Sequence, residues 1–406
     1  MSYQSHELQN GIRLVFAPAQ SLISHCGIFL NTGSRDEMPH QLGMAHFIEH
    51  TIFKGTKKRK AYHILSRLDD VGGELNAYTT KEETVVHASF LNEYLDRSLE
   101  LIADIVFCST FPEKEIEKEK EVIIDEINSY KDSPSEQIFD DFDEKLFRND
   151  PLGRQILGTE ASIRSFTGTD VQAFIAENYH TDQMVVSVVG NQDFAKVLRM
   201  FERYFGQIPE NRRVVNKRKL PQAFQFDEQV ECGTHQTHCI LGCPAYDMNS
   251  KYKTSFTLLN NLLGGSGLNA RLSLSLREKH GITYNIESSY QNYSDMGIFT
   301  VYFGTDKENV AKSLELIYRE IVLLRDKPLG TMQLLKAKKQ LIGQIAMGMD
   351  SNENQMITNG KSLLYYGKID TLEAVYANID GISADDLLFV AQEIFDPKAF
   401  SKLFFL

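Results

Sequence analysis

No apolar run in this chain approaches the ~20 residues that a membrane-spanning helix needs. The opening stretch, MSYQSHELQNG, has neither the basic nor the apolar region of a secretory signal. Both absences point away from the membrane and toward the cytoplasm, a leader removed earlier aside. Basic residues are in the minority, 43 against 55 acidic, for a formal net charge of −12. General nucleic-acid binding needs a basic footprint and is excluded on that ground; neutral or basic peptides remain compatible partners. Cysteine is scarce and odd in number: Cys26, Cys108, Cys232, Cys239 and Cys243. Five thiols in a long chain read as reduced, not as a disulfide framework. The stretch CGTHQTHCILGC has the residue types of a zinc module but none of the common spacings, and its second half reads as a buried strand.

What is present reads as a two-part α+β protein. At about 100–200 residues per domain, 406 residues predict two or three domains. GIRLVFAP, SHCGIFLNTGS, the pair within ELNAYTTKEETVVHASF, and MVVSVVG are β-rich and bounded by turn residues. AYHILSRLDDVG reads as a helix stopping at Gly72-Gly73, and two long helices follow at 93–108 and 113–130. From Gly206 to Asp227 the chain is basic, polar and aperiodic, as a linker is. SLELIADIV at Ser98 is echoed by SLELIYREI at Ser313, each after a β-rich stretch and before a long helix. EKEVIIDEI over AKKQLIGQI then sets Glu119 on Ala337 and Glu126 on Gln344. A duplicated domain is expected, divided as 1–212, a linker at 213–227 and 228–406. Each copy should be a mainly antiparallel sheet with helices packed on one face.

The chemistry begins at GMAHFIEHTIFKG. His46 and His50, four apart, share one face of a helix, and two such imidazoles can chelate zinc. Glu49 flanks that face, within reach of a metal-bound water. HxxEH is the reversed order of HExxH and supplies the same parts. A hydrogen-bonded polar patch is the competing reading.

The helix at 113–130 can be searched for a third ligand. With Ile116 at 0° and 100° per residue, Ile123, Ile127 and Tyr130 fall between about −40° and +20°. Glu119 falls near −60° and Glu126 near −80°, inside the apolar stripe, whereas Glu113, Glu117, Glu121 and Asp125 point elsewhere. A desolvated carboxylate needs a charge partner, and a metal on a facing helix would be one. Glu126 as ligand and Glu119 as support for a histidine satisfy both.

In these residues the chain resembles the pitrilysin/insulinase family of inverted zincins, which includes the mitochondrial processing peptidases. The family carries HxxEH with a glutamate ligand roughly 76 residues beyond the second histidine, which falls on Glu126, and a further glutamate seven earlier, which falls on Glu119. GSRDE, AHFIEHTIFKGT and GGELNAYTTKEET agree, and the likeness spans essentially the whole chain. It implies one Zn2+ per chain, held by His46, His50 and Glu126, with Glu49 as general base for peptide-bond hydrolysis. It also implies that peptide adds as a strand along Asn76, Ala77, Tyr78 and Thr79.

In GGSGLNARLSLSLREKHGITYNIESSY, a phosphate-loop reading fails for want of GK[ST]. The resemblance implies instead that Arg277 and Tyr284 hold substrate and stabilise the developing oxyanion. Large relatives join four such domains around a chamber, so two chains of this kind are expected to meet, as a homodimer or with a homologous subunit. A non-catalytic partner subunit is the alternative function; the presence of His46, Glu49, His50, Glu119 and Glu126 together favours the enzyme. A zinc hydrolase of another kind is disfavoured by the extent of matching text.

Overall fold

The structure is a computed structural model that describes residues 3–214 and 220–406. Of the linker expected at 213–227, residues 215–219 lie outside the described residues. Two compact units emerge: Met1–Asn128, Arg154–Asn216 and Ala346–Leu372 form the first, and Ser129–Gly153, Lys217–Ile345 and Glu373–Leu406 the second.

The first unit is built on β1 (Gln4–Glu7), β2 (Arg13–Pro18), β3 (Ile23–Leu30), β4 (Glu74–Thr79), β5 (Thr84–Leu91) and β6 (Met184–Gly190). They lie in the order β1-β2-β6-β3-β5-β4, antiparallel except where β2 runs parallel to β6. MVVSVVG is buried at every position, as a central strand covered on both faces must be. One face carries α1 (Met44–Thr51), α2 (Ala61–Asp69), α3 (Leu95–Cys108), α4 (Glu113–Lys131), α6 (Glu160–Ser165), α7 (Gly168–Asn178) and α8 (Phe194–Phe205). Phe16, Ile28 and Val86 of the sheet meet Phe47, Leu99, Ile102 and Ile123 there. β4 bonds to β5 alone and leaves its other edge open.

The second unit repeats the design. Its strands β7 (Asp227–Val230), β8 (Thr237–Ala245), β9 (Asn285–Asn292), β10 (Gly297–Thr305) and β11 (Ser401–Phe405) lie in the order β7-β11-β8-β10-β9, which matches β2-β6-β3-β5-β4 strand for strand. The parallel pair recurs at the equivalent place, β7 with β11. Its helices are α5 (Pro134–Leu146), α9 (Lys253–Gly264), α10 (Val310–Asp326), α11 (Thr331–Met349), α13 (Leu372–Gly381) and α14 (Ala384–Ile394). Cys239 and Cys243 of β8 are buried in its core, so the HCILGC stretch is a strand and not a metal site.

The contiguous division at 213–227 needs correcting at two helices. α5 follows α4 in sequence but packs Ile138, Phe142 and Leu146 against Ile240, Leu403 and Phe405 of the second sheet. The helix α12 (Asn352–Tyr366) lies beyond the linker yet covers the first sheet. Ser187 Oγ donates to Met356 O at 2.8 Å and Arg13 Nη1 to Leu363 O at 2.7 Å. The cause is two-sided apolarity: Val15, Phe29, Val185 and Val189 face away from the main helical layer and would meet water. Besides the expected layer on one face, each sheet therefore takes one helix on the other.

A contrast between two helical glycines checks this seating. A Cβ on Gly360 would stand 2.3 Å from the Phe29 ring, whereas one on Gly343 meets nothing within 4 Å. Alanine is the better helix former by about 1 kcal/mol, so Gly343→Ala should stabilise in urea unfolding. Gly360→Ala should instead cost about 1–3 kcal/mol through overpacking. Equal effects would remove α12 from the face of β3.

Candidate metal centre

α1 is eight residues long and its N-cap is Gly43, whose φ of 88° is left-handed. A side chain there would clash with Leu157 O at 2.6 Å, so glycine is required. Gly43 has no side chain to cap the helix. The buried Glu37 does so from upstream: its Oε2 accepts from Gly43 N and its Oε1 from Ala45 N, both at 2.9 Å. Met44, Ala45, Phe47 and Ile48 turn into the core, which leaves His46, Glu49 and His50 on the remaining face.

α4 presents its glutamates to that face. Ile116, Ile123 and Ile127 seat it in the core. Glu119 is buried among them, and Glu126, at 44% side-chain exposure, stands at the rim of the stripe. The Glu126 Oε2 lies 3.4 Å from His50 Nε2 and 3.9 Å from His46 Nε2. Ligand atoms of the three residues lie within 4.8 Å of one another, and no other His, Cys, Asp or Glu trio among the described residues is so placed. Zinc bonds of about 2.0–2.2 Å put tetrahedral neighbours roughly 3.3–3.6 Å apart, so the donor set fits that ion.

Around the trio the two histidines are held differently. His50 Nδ1 is 3.0 Å from Glu119 Oε1, whose other oxygen is 2.8 Å from Lys54 Nζ. The contact fixes the ring and leaves Nε2 for a metal. Burial pulls the His50 pKa down, but the bond to Glu119 and the charges of Glu126, Glu119 and Glu49 raise it overall. His46 has a buried Nδ1 with no hydrogen-bond partner, and burial, then His50, lowers its pKa to about 4. Burial raises the Glu49 carboxyl, Glu126 adds to the rise, and Thr79 and His50 oppose it.

β4 brings Asn76, Ala77, Tyr78 and Thr79 beside α1. Leu75 and Ala77 pack on the main core while Tyr78 packs on the reverse face, under Lys361 of α12 at 5.5 Å from the ring centroid. The turn to β5 is pinned by buried charge: Arg35 with Glu82 at 2.6 Å, and Glu83 with both Lys361 and Tyr365 of α12. Arg277 and Tyr284 belong to the second unit. There Gly281, at φ 63°, closes the Ser273–Lys279 helical turn: Ile282 N donates to Leu276 O and Gly281 N to Arg277 O, both at 3.1 Å. Arg277 is half-exposed and Tyr284 is 87% exposed.

Sequence reasoning passed over Glu37 and Lys54, which stand in GSRDE and in FKGT. It also passed over Tyr179, a buried phenol whose pKa is raised by burial and by Glu49.

A duplicated α+β fold with a His-x-x-Glu-His helix facing a glutamate is the arrangement of the inverted zincins. The chain belongs to the insulinase family, peptidase family M16: residues 15–160 match its insulinase domain and residues 165–341 its inactive domain. It is similar to the Bacillus subtilis protein named as the uncharacterized zinc protease YmxG, 32% identical over 95% of this chain and 94% of that one. An uncharacterized zinc protease of Rickettsia felis is 33% identical over 91% and 89%. Among solved structures, a protease from Helicobacter pylori superposes with a TM-score of 0.90 at 22% identity over 100% of this chain and 99% of that one. A Pseudomonas fluorescens structure described as a peptidase M16 inactive domain superposes at 0.92 with 19% identity, over 100% and 98%. These two establish the fold. No helix among the described residues is long and apolar enough to cross a membrane.

The pKa pattern sets a pH dependence. The raised His50 pKa means that the folded metal-free protein holds its proton more tightly than the unfolded chain. That pair contributes stability below the unfolded pKa and loses it as pH rises through the folded one. Zinc competes with the same proton, whereas His46 at about 4 stays neutral. The gain in Tm on adding zinc should therefore grow between about pH 5.5 and 8. A gain independent of pH, measured by calorimetry, would separate His50 from the metal.

Proposed function

We propose that the chain is a zinc-dependent endopeptidase acting on unfolded peptides, with one zinc per chain held by His46, His50 and Glu126. The carrying observation is that His46 and His50 of α1 converge with Glu126 of α4, and that Glu49 stands between the two histidines in α1. Bound zinc would polarise the scissile carbonyl and acidify the attacking water. Glu49 takes the proton of that water and returns it to the departing amine; burial moves its carboxyl toward the working pH, which suits both transfers. The open edge of β4 receives the peptide in extended form by backbone hydrogen bonds along Asn76, Ala77, Tyr78 and Thr79, a mode that reads main chain more than sequence. Glu119 keeps His50 in one tautomer. Arg277 and Tyr284 of a second copy hold substrate and receive the developing oxyanion, so the working unit is a dimer enclosing its substrate.

Glu49→Gln removes the base and no ligand. It should retain zinc and lose about 10²–10⁴-fold in turnover of a flexible peptide. Normal turnover by Glu49→Gln, followed by fluorescence on a quenched peptide, would sink the assignment.

The dimer has its own test. Glu49→Gln mixed with an Arg277→Ala/Tyr284→Phe variant places one intact zinc half and one intact Arg/Tyr half at the same site in mixed dimers. Half the dimers are mixed and half their sites are whole, so activity should approach about a quarter of wild type after free exchange. No activity above the two variants alone would show that Arg277 and Tyr284 do not act across chains.

A further inference from the structure

The two proposed histidine ligands are supported from opposite ends of α1, and only one support is a side-chain bond to the ring. His50 is held through Nδ1 by Glu119, and Glu119 by Lys54. His46 has nothing on Nδ1, although that atom is buried. The direction of its ring therefore depends on the backbone of the first helical turn. An eight-residue helix cannot hold that turn by itself, because isolated helices shorter than about 12–15 residues are marginal. Its N-cap position offers no side chain, since Gly43 must be glycine.

We infer, on the zinc reading above, that Glu37 is a positioning residue for the metal centre: its carboxylate clamps the first turn of α1 and so sets where His46 presents its ring. The clamp has two prongs, Oε2 on Gly43 N and Oε1 on Ala45 N, at 2.9 Å each. Ala45 immediately precedes His46. The clamp is itself anchored, because Arg154 Nη1 donates to Glu37 O at 2.5 Å. Glu37 is 3% exposed, so water cannot substitute for either prong. Burial pushes the Glu37 carboxyl up to about 8, while the two backbone bonds and Arg154 hold it down, so the clamp rests on the two hydrogen bonds and not on charge. Glu37 touches no proposed ligand side chain and acts entirely through backbone.

The test reads the metal, not the reaction. Zinc affinity is measured against a competing chelator, and the visible spectrum of the Co2+-loaded protein reports ligand geometry. Wild type should bind. Glu37→Ala should lose about 10–100-fold in zinc affinity, the scale of outer-shell changes at metal sites, with a shifted cobalt spectrum. Glu37→Gln keeps the shape and one acceptor oxygen, so it should fold and lose less. Leu101→Ala, a core variant in α3 that takes part in none of these hydrogen bonds, controls for general destabilisation and should keep both the affinity and the spectrum of wild type. If Glu37→Ala fails to fold, Glu37→Gln decides by the same two readings. Variants that match wild type in affinity and spectrum overturn this inference alone, as does an equal loss in Leu101→Ala. A wild type that takes no zinc overturns the functional reading, and this inference with it.

Discussion

The Glu119 carboxylate, shared between His50 and Lys54, is the contact on which the site depends. It is buried and would be costly there without partners. Its partners come from α1 and from the loop that follows it, so a single carboxylate ties α1 and that loop to α4, which lies beyond α2, β4, β5 and α3 in the chain. The isoleucines of α4 seat that helix in the core, and once it is seated Glu119 lies buried against His50 and Glu126 stands beside both histidines at the solvent rim. Core packing thus places the ligands, and the polar contacts orient them.

Legibility followed the range of the interactions. HxxEH on one helix face, and Glu119 inside the Ile116–Ile123–Ile127 stripe, were readable because helical period is local; Glu126, expected inside the same stripe, stands at its exposed rim, because the stripe's width is set by what packs against it. The strands at 74–79 and 84–91 were readable from alternation and Thr/Val content. Glu37 was not, because capping from upstream of a glycine depends on how the 37–43 loop returns. Lys54 was not, because a lysine in a loop looks solvated until its carboxylate is found. The places of α5 and α12 were illegible for another reason. Amphipathic period tells which face of a helix is apolar, but not which sheet will receive it.

The repeated strand order, with its parallel pair at the same place, shows how little of the domain the chemistry occupies. In α11 the position of Glu119 is taken by the buried Ala337, and no His-x-x-Glu-His occurs in the second half. One copy keeps polar groups on its helices. The other keeps apolar packing and presents Arg277 and Tyr284 on a glycine-closed turn.

The seating of α12 gives the molecule an order of birth. Every proposed zinc ligand, and the whole of β4, has left the ribosome once residue 126 is out. The lysine and tyrosine that hold Glu83, and the helix that dries the reverse face of the sheet, are translated more than half the chain later. The early half of a nascent chain therefore carries the chemical groups but lacks the backing for the strand beside them. The open edge of β4 is thus backed last, when most of the chain has already been made.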